Sequence, residues 1–285
     1  MHKPVLLQEV MELLRPRPGG VYVDGTLGLG GHAERIVEAG GRVVGIEWDD
    51  AAAAIAEERL GASVTVVRDS FANLPAILEK QGLSVVDGIL LDLGVSSLQL
   101  DTASRGFSLM RDGPLDMRMS PRLQGRTAGD LLRSLGEREL ERILREYGEV
   151  PGARRIARAI VRRRGEKGSD ILDSTRALAG SVERLIGRHG RIHPATRVFQ
   201  ALRIAVNGEL ENLKKFLEVF DKHLREGGRC CVLSYHSLED RLVKRSFREK
   251  PGLRVVTRKP VRPGPTEVRD NPRARSARLR CVEKC

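Results

Sequence analysis

Four cysteines in 285 residues are too few for a disulfide-stapled fold, and they fall as an adjacent pair, Cys230-Cys231, and a distal pair, Cys281 and Cys285. No histidine stands near either pair at ligand spacing, so four free thiols and no metal site are expected. Aromatic residues are scarce too: three Tyr, one Trp and six Phe exclude a broad platform for stacking nucleobases. No apolar run approaches the roughly 20 residues that cross a bilayer. Met1-His2-Lys3-Pro4 does not open a basic region followed by an apolar one, so a cytoplasmic protein with no membrane partner is expected.

Positive charge is what the chain has in excess. The formal charge is +12, from 50 Lys and Arg against 38 Asp and Glu. Such a balance fits a polyanionic partner, nucleic acid first, because clustered cations bind phosphates and release their counterions; a merely basic enzyme is the alternative. A hydrophobic fraction of 40% is enough to bury a core, and the length predicts one large domain or one domain carrying an insertion.

Strand and helix patterns alternate over the first two-fifths. Val21 to Asp24, Arg42 to Glu47, Val64 to Val67 and Val85 to Leu91 read as strands; His32 to Ala39, Asp50 to Leu60 and Ala72 to Gln81 read as helices. That alternation predicts an α/β fold, a parallel sheet with helices on both faces. From about Thr127 only helical periodicity remains, through Ala128 to Tyr147, Arg154 to Arg164, Ser174 to Arg188 and Pro194 to Asn207. Leu210 to Leu224 then reads as a helix, stopped by Gly227-Gly228, with a strand at Cys230 to Ser234. The expected organisation is a discontinuous domain over 1–104 and 208–285, interrupted by a helical substrate-recognition domain over 105–207. Two alternating runs in the tail, Leu253 to Thr257 and Ala277 to Val282, suit an antiparallel edge hairpin, with a Pro/Arg-rich loop between them.

Asp24-Gly25-Thr26-Leu27-Gly28-Leu29-Gly30-Gly31-His32 joins the first strand to a helix, where glycines let backbone approach a ligand. Gly28-x-Gly30-x-x-Ala33 also fits the dinucleotide fingerprint, which leaves an NAD-linked oxidoreductase open. Acidic residues end every strand of this half: Asp24, Glu47, Asp69 and Asp92. Glu47 stands where a carboxylate accepts ribose hydroxyls in either kind of site. Taken singly, each acid has an ordinary role as a helix cap or turn residue. Taken together, they suit an adenosine carrying a sulfonium and an ammonium, and would repel a pyrophosphate.

The motifs Asp24 to Gly28, Gly30-Gly31-His32, Ile89 to Ser97, Arg105-Gly106-Phe107-Ser108, Asp112 to Met119, His193-Pro194-Ala195-Thr196, Ser237-Leu238-Glu239-Asp240-Arg241 and Asn271 to Ser276 follow in this order. In these the chain resembles the bacterial small-subunit ribosomal RNA (cytosine-N4) methyltransferases, the MraW or RsmH family, from Lys3-Pro4 to about Arg280. The resemblance implies a Rossmann-like, S-adenosylmethionine-dependent methyltransferase sheet with an inserted all-helical domain. It implies the small ribosomal subunit as partner and a cytidine of its 16S RNA, in the decoding centre, as substrate. It puts cofactor contacts on Gly30, Gly31, His32, Glu47, Phe71, Asp92 and Gln99. Two departures are Glu47, where the family more often has Asp, and Leu98, where Pro usually precedes the Gln; the tail after Arg241 is also short.

Methylating an exocyclic amine calls for positioning and for an acceptor of the amine hydrogens. Asp92, Ser96 and Ser97, on the loop after the fourth strand, are the expected catalytic group. Attack at carbon 5 would need an activated cysteine. None follows a proline, and Cys230 and Cys231 lie in an apolar run. The Asp/Ser-Pro-Pro-aromatic motif of DNA amino-methyltransferases is missing as well, so no DNA partner is expected. His236 is a candidate base or RNA contact, with a satisfied turn residue as the other reading. Two basic surfaces are candidates for RNA: the helix face bearing Arg154, Arg155, Arg158 and Arg162, and the tail bearing Arg269, Arg273, Arg275, Arg278 and Arg280.

Overall fold

The computed structural model describes residues 4–166, 171–188, 190 and 193–285, so Lys3, at the start of the matched stretch, lies outside the described residues. The chain divides into two compact units, one of residues 4–94 with 210–285 and one of residues 95–209. The seam at Gly94–Val95 falls ten residues before the boundary expected at 104–105. The turn after the fourth strand already belongs to the helical unit.

The first unit is built on seven strands, β1 (Val21–Asp24), β2 (Arg42–Ile46), β3 (Val64–Val67), β4 (Val86–Asp92), β5 (Leu224–Ser234), β6 (Leu253–Val255) and β7 (Arg278–Lys284). They lie in the order β3-β2-β1-β4-β5-β7-β6. The first five strands pair in parallel, while β7 runs antiparallel to both β5 and β6. Among the described residues of both units the α-helices are α1 (Leu7–Leu14), α2 (Gly31–Glu38), α3 (Asp50–Leu60), α4 (Leu74–Lys80), α5 (Ser97–Asp101), α6 (Ala128–Ser134), α7 (Glu137–Gly148), α8 (Ala153–Arg163), α9 (Thr175–Ile186), α10 (Ala195–Asn207), α11 (Glu209–Val219), α12 (Ser237–Glu249) and α13 (Pro265–Asp270).

Strand alternation gives each face of the sheet its own core. Ile89 and Leu91 of β4, with Val23, Val44 and Val232, meet Leu74, Ile77, Phe216, Phe220, Val243 and Phe247 from the side of α4, α11 and α12. Leu90, with Tyr22, Val43, Cys231 and Leu233, meets Val10, Leu14, Ala33, Ile36 and Ala56 from α1, α2 and α3. Burial on both faces explains why β4 reads as a continuous apolar run.

Five elements differ from the sequence reading, among them α5, where a loop was expected from Asp92 through Ser97. Helix α1 was not foreseen, although Val10 and Leu14 stand four apart and are both buried. The single helix expected over Ala128 to Tyr147 is two, because Gly136 takes an extended conformation as the N-cap of α7. Strand β5 begins at Leu224, so α11 ends at Val219 and a 3-10 turn over Phe220–His223 closes it, well before the glycine pair. The tail loop contains α13, whose first residue is Pro265, a ring already set at a helical φ. Among the described residues no helix is long and apolar enough to cross a membrane.

Candidate cofactor and active site

The glycine segment is pinned to the strands on either side of β1. Gly25 N donates to Leu90 O at 2.8 Å, and Leu27 N donates to Ile46 O at 2.9 Å. Gly28, at φ 54°, turns its N–H to Glu47 Oε2 at 2.7 Å, while Glu47 Oε1 accepts from Asp49 N at 2.8 Å. Gly30 caps α2 at φ 81°, and a Cβ there would lie 2.4 Å from Leu60 Cδ1. Left-handed φ and close packing together require glycine at that position.

Three carboxylates converge on the carboxyl edge of the sheet. Asp24 is 1% exposed and accepts from Thr26 N at 3.2 Å. Thr26 Oγ1 in turn accepts from Asp92 N, and Asp92 Oδ1 accepts from the Tyr235 hydroxyl at 2.7 Å. His32 Nδ1 lies 3.9 Å from Asp92 Oδ2, while its Nε2 donates to Val5 O at 3.1 Å, since a carbonyl can only accept. Burial pushes the Asp24 carboxyl up to about 6, against the opposing pull of His32 and of the Thr26 N–H. Burial likewise pushes Glu47 up to about 7, although the N–H groups of Asp49 and Gly28 favour its charged form. Two buried acids held so far above their ordinary range are relieved by a ligand that brings positive charge and hydroxyl donors. An ammonium, a sulfonium and a ribose fit that edge, and a pyrophosphate does not.

Of the residues expected at the cofactor, Gly30, Gly31, His32, Glu47, Phe71 and Asp92 all belong to the first unit. The Phe71 ring stands edge-on to Phe216 at 5.9 Å and tilted to Trp48 at 6.4 Å. Gln99, Ser96 and Ser97 open the second unit. There Ser96 caps α5, its Oγ accepting from Gln99 N at 3.2 Å, and Gln99 Oε1 accepts from Ser96 N at 3.0 Å. That reciprocal box fixes the turn with Leu98 in place of the usual proline.

Several candidates take plainer roles. Asp69 holds a turn through Ser70 N at 2.7 Å and Asn73 Nδ2 at 2.8 Å. His236 is the N-cap of α12, its Nδ1 accepting from Glu239 N at 3.4 Å. Arg280 is buried against Asp240 at 2.6 Å and Arg278 lies 3.9 Å from the same carboxylate, so this acid takes both out of the basic tail surface. Arg273 and Arg275 are exposed on a 3-10 turn. Arg154, Arg155, Arg158 and Arg162 are exposed on α8, with Glu137 of α7 4.0 Å from Arg154 and 3.3 Å from Arg158. Cys230, Cys231 and Cys281 are buried. Their surroundings push the first two thiols well above their ordinary value, Cys230 through burial and Cys231 through its hydrogen bond to Cys281. Sequence reasoning missed Tyr235 and Thr26, which hold Asp92. Tyr235 lies just past β5, next to His236, and the neighbour drew attention because imidazole is the commoner base.

A doubly wound sheet of this order, with the antiparallel β7 set between β5 and β6 and carboxylates at the ends of β1, β2 and β4, defines a Rossmann-like methyltransferase with S-adenosylmethionine as cofactor. The model of the MraW methylase family matches residues 1–285, and the chain belongs to that family. Among its relatives, Ribosomal RNA small subunit methyltransferase H of Anaeromyxobacter dehalogenans (strain 2CP-1 / ATCC BAA-258) is 49% identical over 305 residues, covering 99% of this chain and 97% of the relative. The protein of the same name from Geobacter sulfurreducens (strain ATCC 51573 / DSM 12127 / PCA) is 49% identical over 310 residues, covering 99% and 98%.

Proposed function

We propose that this enzyme methylates the exocyclic N4 amine of a cytidine in the decoding centre of 16S RNA in the small ribosomal subunit. The relatives are named for small-subunit ribosomal RNA, and the strong positive charge suits such a substrate. The observation that carries the choice of an amine is Asp92: a carboxylate at the end of β4, oriented by the Tyr235 hydroxyl and with its backbone N–H on Thr26. Attack at carbon 5 finds no support, because Cys230, Cys231 and Cys281 are buried, two of them are held in the thiol form, and the exposed Cys285 follows β7 at the end of the sheet away from the carboxylates.

Gly30, Gly31, His32, Glu47, Phe71, Asp92 and Gln99 are assigned to the cofactor, with Asp24 facing its ammonium. Bound S-adenosylmethionine supplies a methyl group already activated by positive sulfur. The cytosine amine is a poor nucleophile because its lone pair is shared with the ring. The protein's task is therefore to orient that amine and draw its hydrogens toward an acceptor, turning the lone pair out of conjugation. Asp92 is assigned as that acceptor, with Ser96 and Ser97 on the following turn as further members of the group. The helical unit, with Arg154, Arg155, Arg158 and Arg162 on α8, is assigned to RNA recognition.

Incubation with S-adenosylmethionine and unmethylated small subunits should yield N4-methylcytidine, read by mass spectrometry after nuclease digestion. Methyl found at carbon 5 or on adenine would refute the assignment. Asp92→Asn should abolish or sharply reduce the yield. Intact S-adenosylhomocysteine binding in that variant assigns Asp92 to the cytosine; lost binding assigns it to the donor.

A further inference from the structure

The excursion between β6 and β7 carries an unusual density of positive charge. Between Val256 and Ala277 stand Arg258, Lys259, Arg262, Arg269, Arg273 and Arg275, all exposed, against two acids. One acid, Glu267, accepts from Leu6 N with its Oε1 at 2.8 Å. The other, Asp270, lies 3.6 Å from Arg269.

Strand direction places this segment at the edge of the sheet where the carboxylates lie. β7 pairs antiparallel to β5 with Arg278 opposite Ser234, and β6 pairs antiparallel to β7. β6 therefore runs with the parallel strands, and the chain leaves β6 and re-enters β7 at the end where β1, β4 and β5 finish. The hydrogen bonds agree: Glu267 holds Leu6, the neighbouring Val5 O accepts from His32, and His32 stands 3.9 Å from Asp92.

The segment's backbone is fixed. Val261 and Leu279 exchange two bonds of 2.9 Å, Thr257 Oγ1 accepts from Cys281 N at 2.8 Å, and Ala274 is fully buried. Pro260, Pro263, Pro265 and Pro272 stiffen what lies between those anchors.

The geometry points to this excursion as a rigid phosphate-binding rim that holds the RNA backbone beside the active edge. The inference rests on the proposed RNA substrate and gives the β6–β7 excursion a share of the binding. Guanidinium and ammonium groups on an ordered backbone contact phosphodiesters without reading sequence, so the rim would hold position and leave the choice of base to the site.

Two variants test it, Arg258→Gln/Lys259→Gln/Arg262→Gln and Arg273→Gln/Arg275→Gln, assayed with unmethylated small subunits over a range of salt. The triple variant should lower the salt slope of binding by about 2, since each phosphate contact on single-stranded RNA contributes roughly 0.7. KM for subunits should rise about tenfold or more at about 150 mM salt, with kcat within about twofold and S-adenosylhomocysteine affinity unchanged. An unchanged slope and KM in both variants, while wild type binds and methylates subunits, overturns the rim and leaves the function standing. Wild type that neither binds nor methylates subunits overturns both.

Discussion

Glu47 shows how burial changes what a substitution reports. Its carboxylate accepts two backbone N–H groups, so Glu47→Ala would strand both donors at about 1 to 3 kcal/mol each and blur binding with folding. Glu47→Gln keeps the volume and one acceptor oxygen, strands one of the two donors rather than both, and loses the charge-assisted bonds assigned to ribose. It should bind S-adenosylhomocysteine about tenfold more weakly or worse by calorimetry, while staying folded at pH 8, where the one donor it strands is offset by removing a carboxylate charged at a desolvation penalty. Undiminished affinity would remove Glu47 from the site. Tyr235→Phe deletes one hydroxyl that holds Asp92, and a bond to a charged group contributes about 1.5 to 3 kcal/mol. Methyl transfer should fall about tenfold or more in kcat/KM with the fold intact by circular dichroism; wild-type turnover would show that Asp92 keeps its orientation without the phenol. Neither Tyr235 nor Thr26 was legible in the sequence, because each acts through a contact made only when β5 and the glycine turn are brought beside β4.

At the level of elements, legibility followed periodicity. The strands β1 to β4 and the helices α3, α8 and α10 stand where their patterns put them, within a residue or two, because both faces of the sheet bury apolar side chains. What failed was punctuation. Gly227-Gly228 read as a helix stop, whereas they lie within β5, and the helical pattern from Ala128 to Tyr147 ran on through Gly136, whereas that glycine caps a new helix. The arginine face on α8 was legible from spacing, but the acid opposite it was not, since Glu137 comes from α7. Changing Arg154, Arg155, Arg158 and Arg162 together to glutamine should weaken RNA binding and lower its salt slope by less than four full contacts, because three of the four already face a carboxylate, Arg154 and Arg158 that of Glu137 and Arg162 that of Glu166. An unaltered slope would make this a solvated face only. The tail arginines divide in the same way: Arg280 and Arg278 serve Asp240, and Arg273 and Arg275 stay on the surface.

For the whole molecule, the raised carboxyls of Asp24 and Glu47 link folding, cofactor and pH. Between about pH 4 and 7 the folded, ligand-free protein holds protons at these groups that the unfolded chain has released. The stabilisation they give is therefore greatest at low pH and is lost as pH rises through about 6 and 7, on the order of 2 to 3 kcal/mol per group. A ligand that sets an ammonium against Asp24 and ribose hydroxyls against Glu47 reverses the preference by favouring the charged carboxylates, so its binding should release protons below about pH 7. The rise in melting temperature caused by S-adenosylhomocysteine should be larger at pH 8 than at pH 5.5, with Glu47→Gln narrowing the difference; a larger rise at pH 5.5 would contradict the linkage. The split sheet bears on synthesis as well. β4 pairs with β5, yet the whole helical unit is made between them, so Ile89, Leu90 and Leu91 leave the ribosome long before Cys230, Cys231 and Val232 exist to cover that edge. Closing so distant a parallel pair is slow, and until it closes an apolar strand edge stands open to other nascent chains. A chain arrested before Leu224 should accordingly be a client for chaperones, whereas release after Lys284 completes the sheet in a single cooperative step.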